Sequence, residues 1–162
     1  MGAELAELYE HYAKELYFYA CSLAKNKTDA EILVSDAFFQ LALQDPLPQD
    51  IKHWLFRDVK NQFIDQTRHK KRWLWQPLDT VKVNHPTTPE SLYFQSEKYR
   101  QLDQAIDQLD FPYQEVILLF YFLNWSTAEI AVYLHFTPGQ VRTILYRARK
   151  KLKEAFPNDR VF

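Results

Sequence analysis

Cationic side chains recur at helical spacing near the end of this 162-residue chain. No acidic residue occurs between Gln140 and Lys153, so the polar side of that stretch carries one sign of charge. An unbroken basic face of this kind is typical of a helix that lies in a groove lined by phosphates. Four members repeat along one side and three lie beside them: Arg142, Tyr146, Arg149 and Lys153, with Thr143, Arg147 and Lys150.

The remaining positions of the same stretch predict how that face is held. Val141, Leu145, Ala148 and Leu152 recur at i, i+4, i+7 and i+11, which is the spacing of a buried helical face. A chain terminus with a merely solvated basic side is the alternative interpretation of the charges.

Two helix starts favour DNA binding over that alternative. Ser126 with Glu129 fits one capping box, and Thr137 with Gln140 fits a second. Pro138 follows at the first helical position, where its missing N–H removes no hydrogen bond. Two short helices joined by a tight turn, the second of them basic, predict a DNA-binding helix-turn-helix.

Composition limits the other classes of function. The formal net charge is −1, so any affinity for nucleic acid must come from local clusters. Two glycines are too few for a Walker or Rossmann loop, and one cysteine excludes an intrachain disulfide or cysteine-rich metal site. We therefore expect no enzyme, no metal and no cofactor. The N-terminus is acidic and no apolar run reaches membrane-spanning length, so we expect a cytoplasmic protein without membrane insertion.

Periodicity and breaks predict an all-α fold of two small helical domains joined by a flexible linker, the second containing the helix-turn-helix. A first helix is expected over 3–23, a second starting at a Thr28–Glu31 capping box, and a third over 51–72. Prolines break the pattern over 76–89, which predicts the linker. Beyond it we expect helices over 90–109 and 113–123, with Asp110 as an N-cap and Asn124 in a left-handed conformation. The domains are accordingly 1–75 and 90–162.

The third predicted helix mixes bases, amides and aromatic residues, a combination suited to phosphates and unstacked bases. Its buried side is expected to contain Trp54, Leu55, Val59, Phe63 and Ile64. The run RHKKR at its end is expected to contact phosphates, and a solvated helix terminus is the alternative interpretation. Trp73 and Trp75 can cap the first core or stack on bases.

Three stretches in this order resemble the bacterial sigma-70 family, and within it the small extracytoplasmic function (ECF) group. LYEHYAKELYFYACSLAKNKTDAEILVSDAFFQLAL resembles the first block of those sigma factors, IKHWLFRDVKNQFIDQTRHKKR their promoter-melting helix, and LDFPYQEVILLFYFLNWSTAEIAVYLHFTPGQVRTILYRARKKLKE their C-terminal helix-turn-helix. The chain departs from the family at Ile32, where an acid is frequent, at His135-Phe136, where the turn usually has glycine, and at Asn124-Trp125, where Gly-Leu is usual.

The resemblance implies a sigma factor that binds core RNA polymerase and directs promoter recognition and transcription initiation. An anti-sigma factor is a partner common in the family. The second helix would contact polymerase, the third helix would hold the opened −10 element, and the last helix would read the −35 element of promoter DNA. The implied polymerase contacts are Asp29, Glu31, Asp36 and Gln40; the −10 contacts are Lys52, Trp54, Arg57, Lys60, Asn61 and Arg68; the −35 contacts are Thr137, Gln140, Arg142, Thr143, Tyr146, Arg147, Arg149 and Lys150.

Two other functions remain open at the level of sequence. One is a helix-turn-helix repressor or activator that works without joining polymerase, although such a protein has no need for the acidic second helix and the basic-aromatic third. The other is a small nuclease, against which stands the lack of a clustered carboxylate metal site.

Overall fold

The structure of the chain, a computed structural model, describes residues 2–73 and 97–155. These residues form helices without a strand, which confirms the all-α class. The chain divides into two compact units, Met1–Glu90 and Ser91–Phe162. The exact bounds 1–75 and 90–162 stay a prediction, and the predicted linker 76–89 lies outside the described residues. The helices are α1 (Gly2–Ala24), α2 (Lys27–Ala42), α3 (Ile51–Trp73), α4 (Glu97–Asp107), α5 (Tyr113–Ile117) with a π-helical turn (Leu118–Phe122), α6 (Thr127–Leu134) and α7 (Pro138–Ala155).

The first unit is a three-helix bundle in which α1, α2 and α3 each contact the other two. Tyr19 of α1 and Phe56 of α3 are fully buried, with ring centroids 4.9 Å apart. The predicted buried side of α3 is correct for Leu55 and Val59, but Trp54, Phe63 and Ile64 are only half-buried and Phe56 takes a core position instead. The stripe predicted for α2 is buried throughout: Ala30, Leu33, Ala37, Phe38 and Leu41.

The N-cap of α2 differs from the predicted one. Asn26 is the N-cap of α2, and its Oδ1 accepts hydrogen bonds from the backbone N–H groups of Thr28 and Asp29 at 2.8 and 3.2 Å. The predicted Thr28–Glu31 capping box is therefore wrong, because asparagine is the stronger N-cap residue and lies one position before the helix. Asp50 begins α3 in the same manner, with the backbone N–H of His53 donating to its Oδ1 at 3.1 Å.

The second unit is built around the apolar segment that includes α5 and its π-helical turn. Val116, Ile117, Leu118 and Leu119 are buried there, and the turn ends at Leu123 before the left-handed Asn124, as predicted. Asp110 is not the N-cap of α5: Pro112 holds that position without a side-chain cap, and Gln114 donates instead to the backbone carbonyl of Asp110. The predicted core face of α7 is confirmed, since Val141, Leu145, Ala148 and Leu152 are all buried.

Candidate functional site

Both predicted N-caps of the helix-turn-helix are formed, and the one at α7 is a complete capping box. The backbone N–H of Glu129 donates to Ser126 Oγ at 3.0 Å, which caps α6. At α7 the cap is reciprocal: the Gln140 N–H donates to Thr137 Oγ1 at 3.1 Å, and the Thr137 N–H donates to Gln140 Oε1 at 2.8 Å. These bonds satisfy backbone donors that a helix start otherwise leaves without partners, so they fix where each helix begins.

The turn between α6 and α7 uses a residue other than glycine. His135 adopts the left-handed conformation, with φ 61° and ψ 40°, and its N–H donates to the carbonyl of Ala131. The Phe136 N–H donates to the same carbonyl at 2.9 Å. This is the hydrogen-bond pattern with which a helix usually ends at glycine. The turn is therefore regular in geometry, although a histidine carries its strained position.

The predicted basic face of α7 lies opposite its buried face. Arg149 is half-buried, and its Nε donates to the carbonyl of Leu145 at 3.3 Å, so part of its guanidinium is occupied within the helix. Tyr146 is 65% exposed, which leaves most of a large ring on the surface between cations. The other predicted −35 residues are exposed: Thr137, Gln140, Arg142, Thr143, Arg147 and Lys150.

Most of the predicted −10 residues share one side of α3. Arg57, Asn61 and Arg68 are exposed, and their spacing of four and seven residues aligns them along the helix. Trp54 is half-buried and lies one turn earlier on the same side, while half-buried Lys60 lies at its margin. Lys52 is different: it is five residues before Arg57, which puts it about 140° away around the helix. The helix therefore does not bring Lys52 together with the other five.

The junction of α2 and α3 contains two carboxylates. Burial raises the pKa of Asp58, a hydrogen bond from Gln62 lowers it, and the nearby charge of Asp36 raises it further, with a net upward shift. The Gln62 Nε2 donates to Asp58 Oδ2 at 2.7 Å. Asp36, an implied polymerase contact, thus lies close enough to α3 to act on one of its side chains.

The outer face of α2 has an apolar stripe that sequence reasoning missed. Ile32, Phe39 and Leu43, the last of which is the C-cap residue directly after α2, are 48%, 62% and 61% exposed, and their spacing of seven and four residues aligns them on one side. Three of the predicted polymerase contacts, Glu31, Asp36 and Gln40, are exposed around this stripe and Asp29 is half-buried. The signal was present in the sequence, because the stripe is out of phase with the core stripe of the same helix.

Two kinds of site are absent from the described residues. In the ranges 2–73 and 97–155, no group of three or more histidine, cysteine, aspartate or glutamate side chains could hold a metal ion. No helix described in the structure combines the length and the apolar character needed to cross a bilayer.

Comparison with known families matches both units of the chain. The family model described as "Sigma-70 region 2" matches residues 8–73, which include α2 and α3. The family model described as "Sigma-70, region 4" matches residues 99–152, which include α6 and the basic face of α7. The two matches occur in the same order along the chain as the stretches that resemble the family.

Individual proteins resemble the chain over most of its length. The ECF RNA polymerase sigma factor SigM of Bacillus subtilis is 25% identical over 93% of this chain and 93% of its own. SigE of Mycolicibacterium smegmatis, also an ECF RNA polymerase sigma factor, is 29% identical over 91% of this chain, which spans only 60% of that relative's length. The sigma factor RpoE of Bartonella quintana, solved in complex with the anti-sigma factor NepR, matches with a TM-score of 0.73, 27% identity, 97% coverage of this chain and 99% of its own.

Proposed function

The chain belongs to the bacterial sigma-70 family of RNA polymerase sigma factors, in its ECF group, and on this premise we propose that it joins core RNA polymerase and directs it to promoters. It would do so as a dissociable subunit without catalytic activity or cofactor of its own, in the cytoplasm. The tasks are divided between the two units, and each rests on one helix.

Contact with core polymerase is assigned to the outer face of α2. The exposed stripe of Ile32, Phe39 and Leu43 supplies apolar area, and the surrounding Asp29, Glu31, Asp36 and Gln40 supply charge and hydrogen bonds. An exposed apolar centre with a polar rim is the usual composition of a protein–protein interface. The acidic rim would favour a basic partner surface and fix the orientation of docking.

Contact with the opened −10 element is assigned to α3. Arg57, Asn61 and Arg68 would donate to phosphates and base edges, with Lys60 at the margin of that side. Trp54 on the same side offers part of its ring for stacking with an unpaired base, an interaction that does not require a particular base. Lys52 is assigned to a phosphate outside this row, because of its different position around the helix.

Contact with the −35 element is assigned to α7, lying in the major groove. Arg142, Thr143, Tyr146 and Arg147 would meet bases or nearby phosphates, and Arg149 and Lys150 would meet phosphates. Thr137 and Gln140 at the start of the helix would fix its register on the DNA. The observation that supports this assignment is the exposed basic face of α7, a helix that begins with a complete capping box directly after the turn.

A direct experiment tests the proposal. The full chain is mixed with core RNA polymerase, examined by size exclusion, and then used for transcription in vitro from a genomic library. We expect co-elution and transcripts that start at a defined set of promoters. A chain that binds DNA fragments but never co-elutes with polymerase would instead be a helix-turn-helix regulator acting on its own.

An anti-sigma factor is proposed as a further partner. The support is the structural similarity to RpoE of Bartonella quintana, which was solved with the anti-sigma factor NepR. Such a partner would have to compete with polymerase, and the exposed apolar stripe on α2 is the surface of the first unit that we expect it to cover.

A further inference from the structure

The side-chain amide of Gln140 has a fixed orientation at the start of α7. Its Oε1 accepts the hydrogen bond from the Thr137 backbone N–H at 2.8 Å. A backbone N–H can only donate, so the amide atom facing it must be the oxygen rather than the nitrogen. The two hydrogens of Nε2 therefore point away from the cap, and the Gln140 side chain is exposed there.

The groups next to Gln140 also present donors to the outside. Thr137 Oγ1 accepts from the Gln140 N–H at 3.1 Å, which directs a lone pair toward the helix and leaves its hydroxyl hydrogen to donate elsewhere. Arg142 folds back over the first turn: its Nη2 lies 3.8 Å from where a Cβ on Gly139 would be, and Thr137 Oγ1 lies 3.9 Å from the same point. A guanidinium has no acceptor. The start of α7 thus offers several hydrogen-bond donors around the bare backbone of Gly139.

We propose that the capping box makes Gln140 a donor-only contact, which donates to one hydrogen-bond acceptor of the −35 DNA and does not form the two-bond pairing with adenine. A glutamine recognises adenine with two bonds, one accepted by its carbonyl oxygen and one donated by its nitrogen. Here the oxygen faces the Thr137 N–H, so turning both the oxygen and the nitrogen of the amide toward an adenine would break the cap. The acceptors that fit are a phosphate oxygen, guanine O6 or N7, adenine N7 and thymine O4. The inference rests on the proposed function, in which α7 contacts the −35 element.

The test separates the cap from the contact by a single substitution. Gln140→Glu keeps an oxygen for the Thr137 N–H, because glutamate serves in capping boxes as glutamine does, but replaces the outward donors by a carboxylate oxygen. We expect an unchanged melting temperature and at least about tenfold weaker binding of the polymerase complex to a promoter selected by the wild-type chain. Gln140→Ala is the matched variant that loses both, so its melting temperature should fall as well. Unchanged promoter affinity of the Gln140→Glu complex would overturn the inference.

Chemically altered −35 duplexes identify the acceptor. If one methylphosphonate abolishes the difference between wild type and Gln140→Glu, the acceptor is that phosphate; if deazaguanine or an altered thymine does so, the acceptor is that base. Loss of the difference on replacing an adenine by 7-deazaadenine would identify adenine N7 as the acceptor. Loss of the difference on replacing it by purine, which lacks the N6 amino group, would show that the Gln140 oxygen accepts from N6 and would contradict the inference. Failure of the wild-type chain to bind polymerase at all would instead refute the proposed function, which the co-elution experiment detects separately.

Discussion

Arg147 and Lys150 are both exposed cations on α7, but the proposed function gives them different tasks. Arg147→Ala should cost about 1–3 kcal/mol of promoter binding and relax the base preference at one position, if its guanidinium reads a base edge. Lys150→Ala should weaken binding to all promoters alike. It should also lower the slope of log affinity against log salt by about the amount expected for one phosphate that is no longer neutralised. Binding of both variants to a panel of single-base promoter variants distinguishes the two outcomes. Uniform weakening by Arg147→Ala would make Arg147 a phosphate contact.

His135 has a left-handed backbone conformation that is unfavourable for a residue with a side chain. It has φ 61° at the end of α6, where a side chain with a Cβ is strained and glycine is not. We expect His135→Gly to stabilise the chain by about 0.5–1 kcal/mol, because relief of strain outweighs the greater flexibility of unfolded glycine. His135→Ala is the control, since alanine keeps the Cβ and should give no gain. Chemical denaturation of the three proteins measures the difference, and equal gains from both variants would exclude backbone strain as the cause.

Asp58 makes the folding stability of the first unit depend on pH, and the direction of the shift in its pKa gives the sign of this dependence. Burial is the main cause that raises its pKa, with Asp36 adding to it and the Gln62 hydrogen bond acting against it. A raised folded-state pKa means that the folded chain binds the proton more tightly than the unfolded chain. The contribution of Asp58 to the free energy of unfolding is therefore fully present below its pKa in the unfolded chain. It is lost as the pH rises through its pKa in the folded chain. Asp58→Asn should remove that loss, so its advantage over wild type in urea midpoint should grow with pH above about 4. A constant difference would contradict the raised pKa.

At the scale of the helix, α2 offers two neighbouring phenylalanines with opposite roles. Phe38 is 5% exposed and packs against Tyr9 with ring centroids 4.9 Å apart, whereas Phe39 is 62% exposed on the apolar stripe. Phe39→Ala should leave stability within about 0.5 kcal/mol of wild type and weaken polymerase binding by about 1–2 kcal/mol, as loss of an interface aromatic does. Phe38→Ala is the matched control and should cost about 3–5 kcal/mol of stability. Normal polymerase affinity of Phe39→Ala would remove the stripe from the interface.

The helices were predictable where a side chain meets a backbone group close in sequence. The type of Ser126 and Thr137, with an acid or amide three residues later, predicts both as N-caps, and each accepts the hydrogen bond of a cap. The same reasoning fails at Thr28, because the helix begins earlier: Asn26 is its N-cap and accepts from the backbone N–H groups of Thr28 and Asp29. Asn124 is predictable because asparagine tolerates the left-handed region, and the left-handed His135 stands where the turn usually has glycine.

Features that depend on packing were outside the reach of local patterns. In the segment from Val116 to Leu123 every residue is apolar or aromatic, so there is no periodicity from which the π-helical turn Leu118–Phe122 could be inferred. Packing also decides which ring enters the core of α3, where Trp54 was expected and the smaller ring of Phe56 is found. The candidate contacts on α7 are easier to predict from the sequence, because its buried and basic residues fall on separate faces at helical spacing.

Acidic and basic residues are concentrated in different parts of the chain, although the net charge is only −1. This separation follows the proposed division between polymerase contact and DNA contact. Up to Asp50, nine acids stand against the three bases Lys14, Lys25 and Lys27, and this part includes the α2 face assigned to polymerase. The bases gather afterwards, in 52–72 and 142–153, which are the helices assigned to DNA. A chain of uniform charge near neutrality would have little attraction for promoter DNA, so the affinity must depend on these two clusters.

The end of α3 gives the last test of that division. Replacing Lys70, Lys71 and Arg72 together by glutamine should lower the slope of log affinity against log salt by about 0.7–0.9 for each phosphate that is no longer neutralised, because fewer counterions are released from the DNA. The exposed Lys14 and Lys27 of the acidic part, replaced by glutamine, form the control, which loses two charges where the triple variant loses three and for which we expect no change of slope. Promoter binding by the polymerase complex at several salt concentrations measures both. An unchanged slope in the triple variant would make this run a solvated helix terminus, and an equal change in both would attribute the effect to total charge.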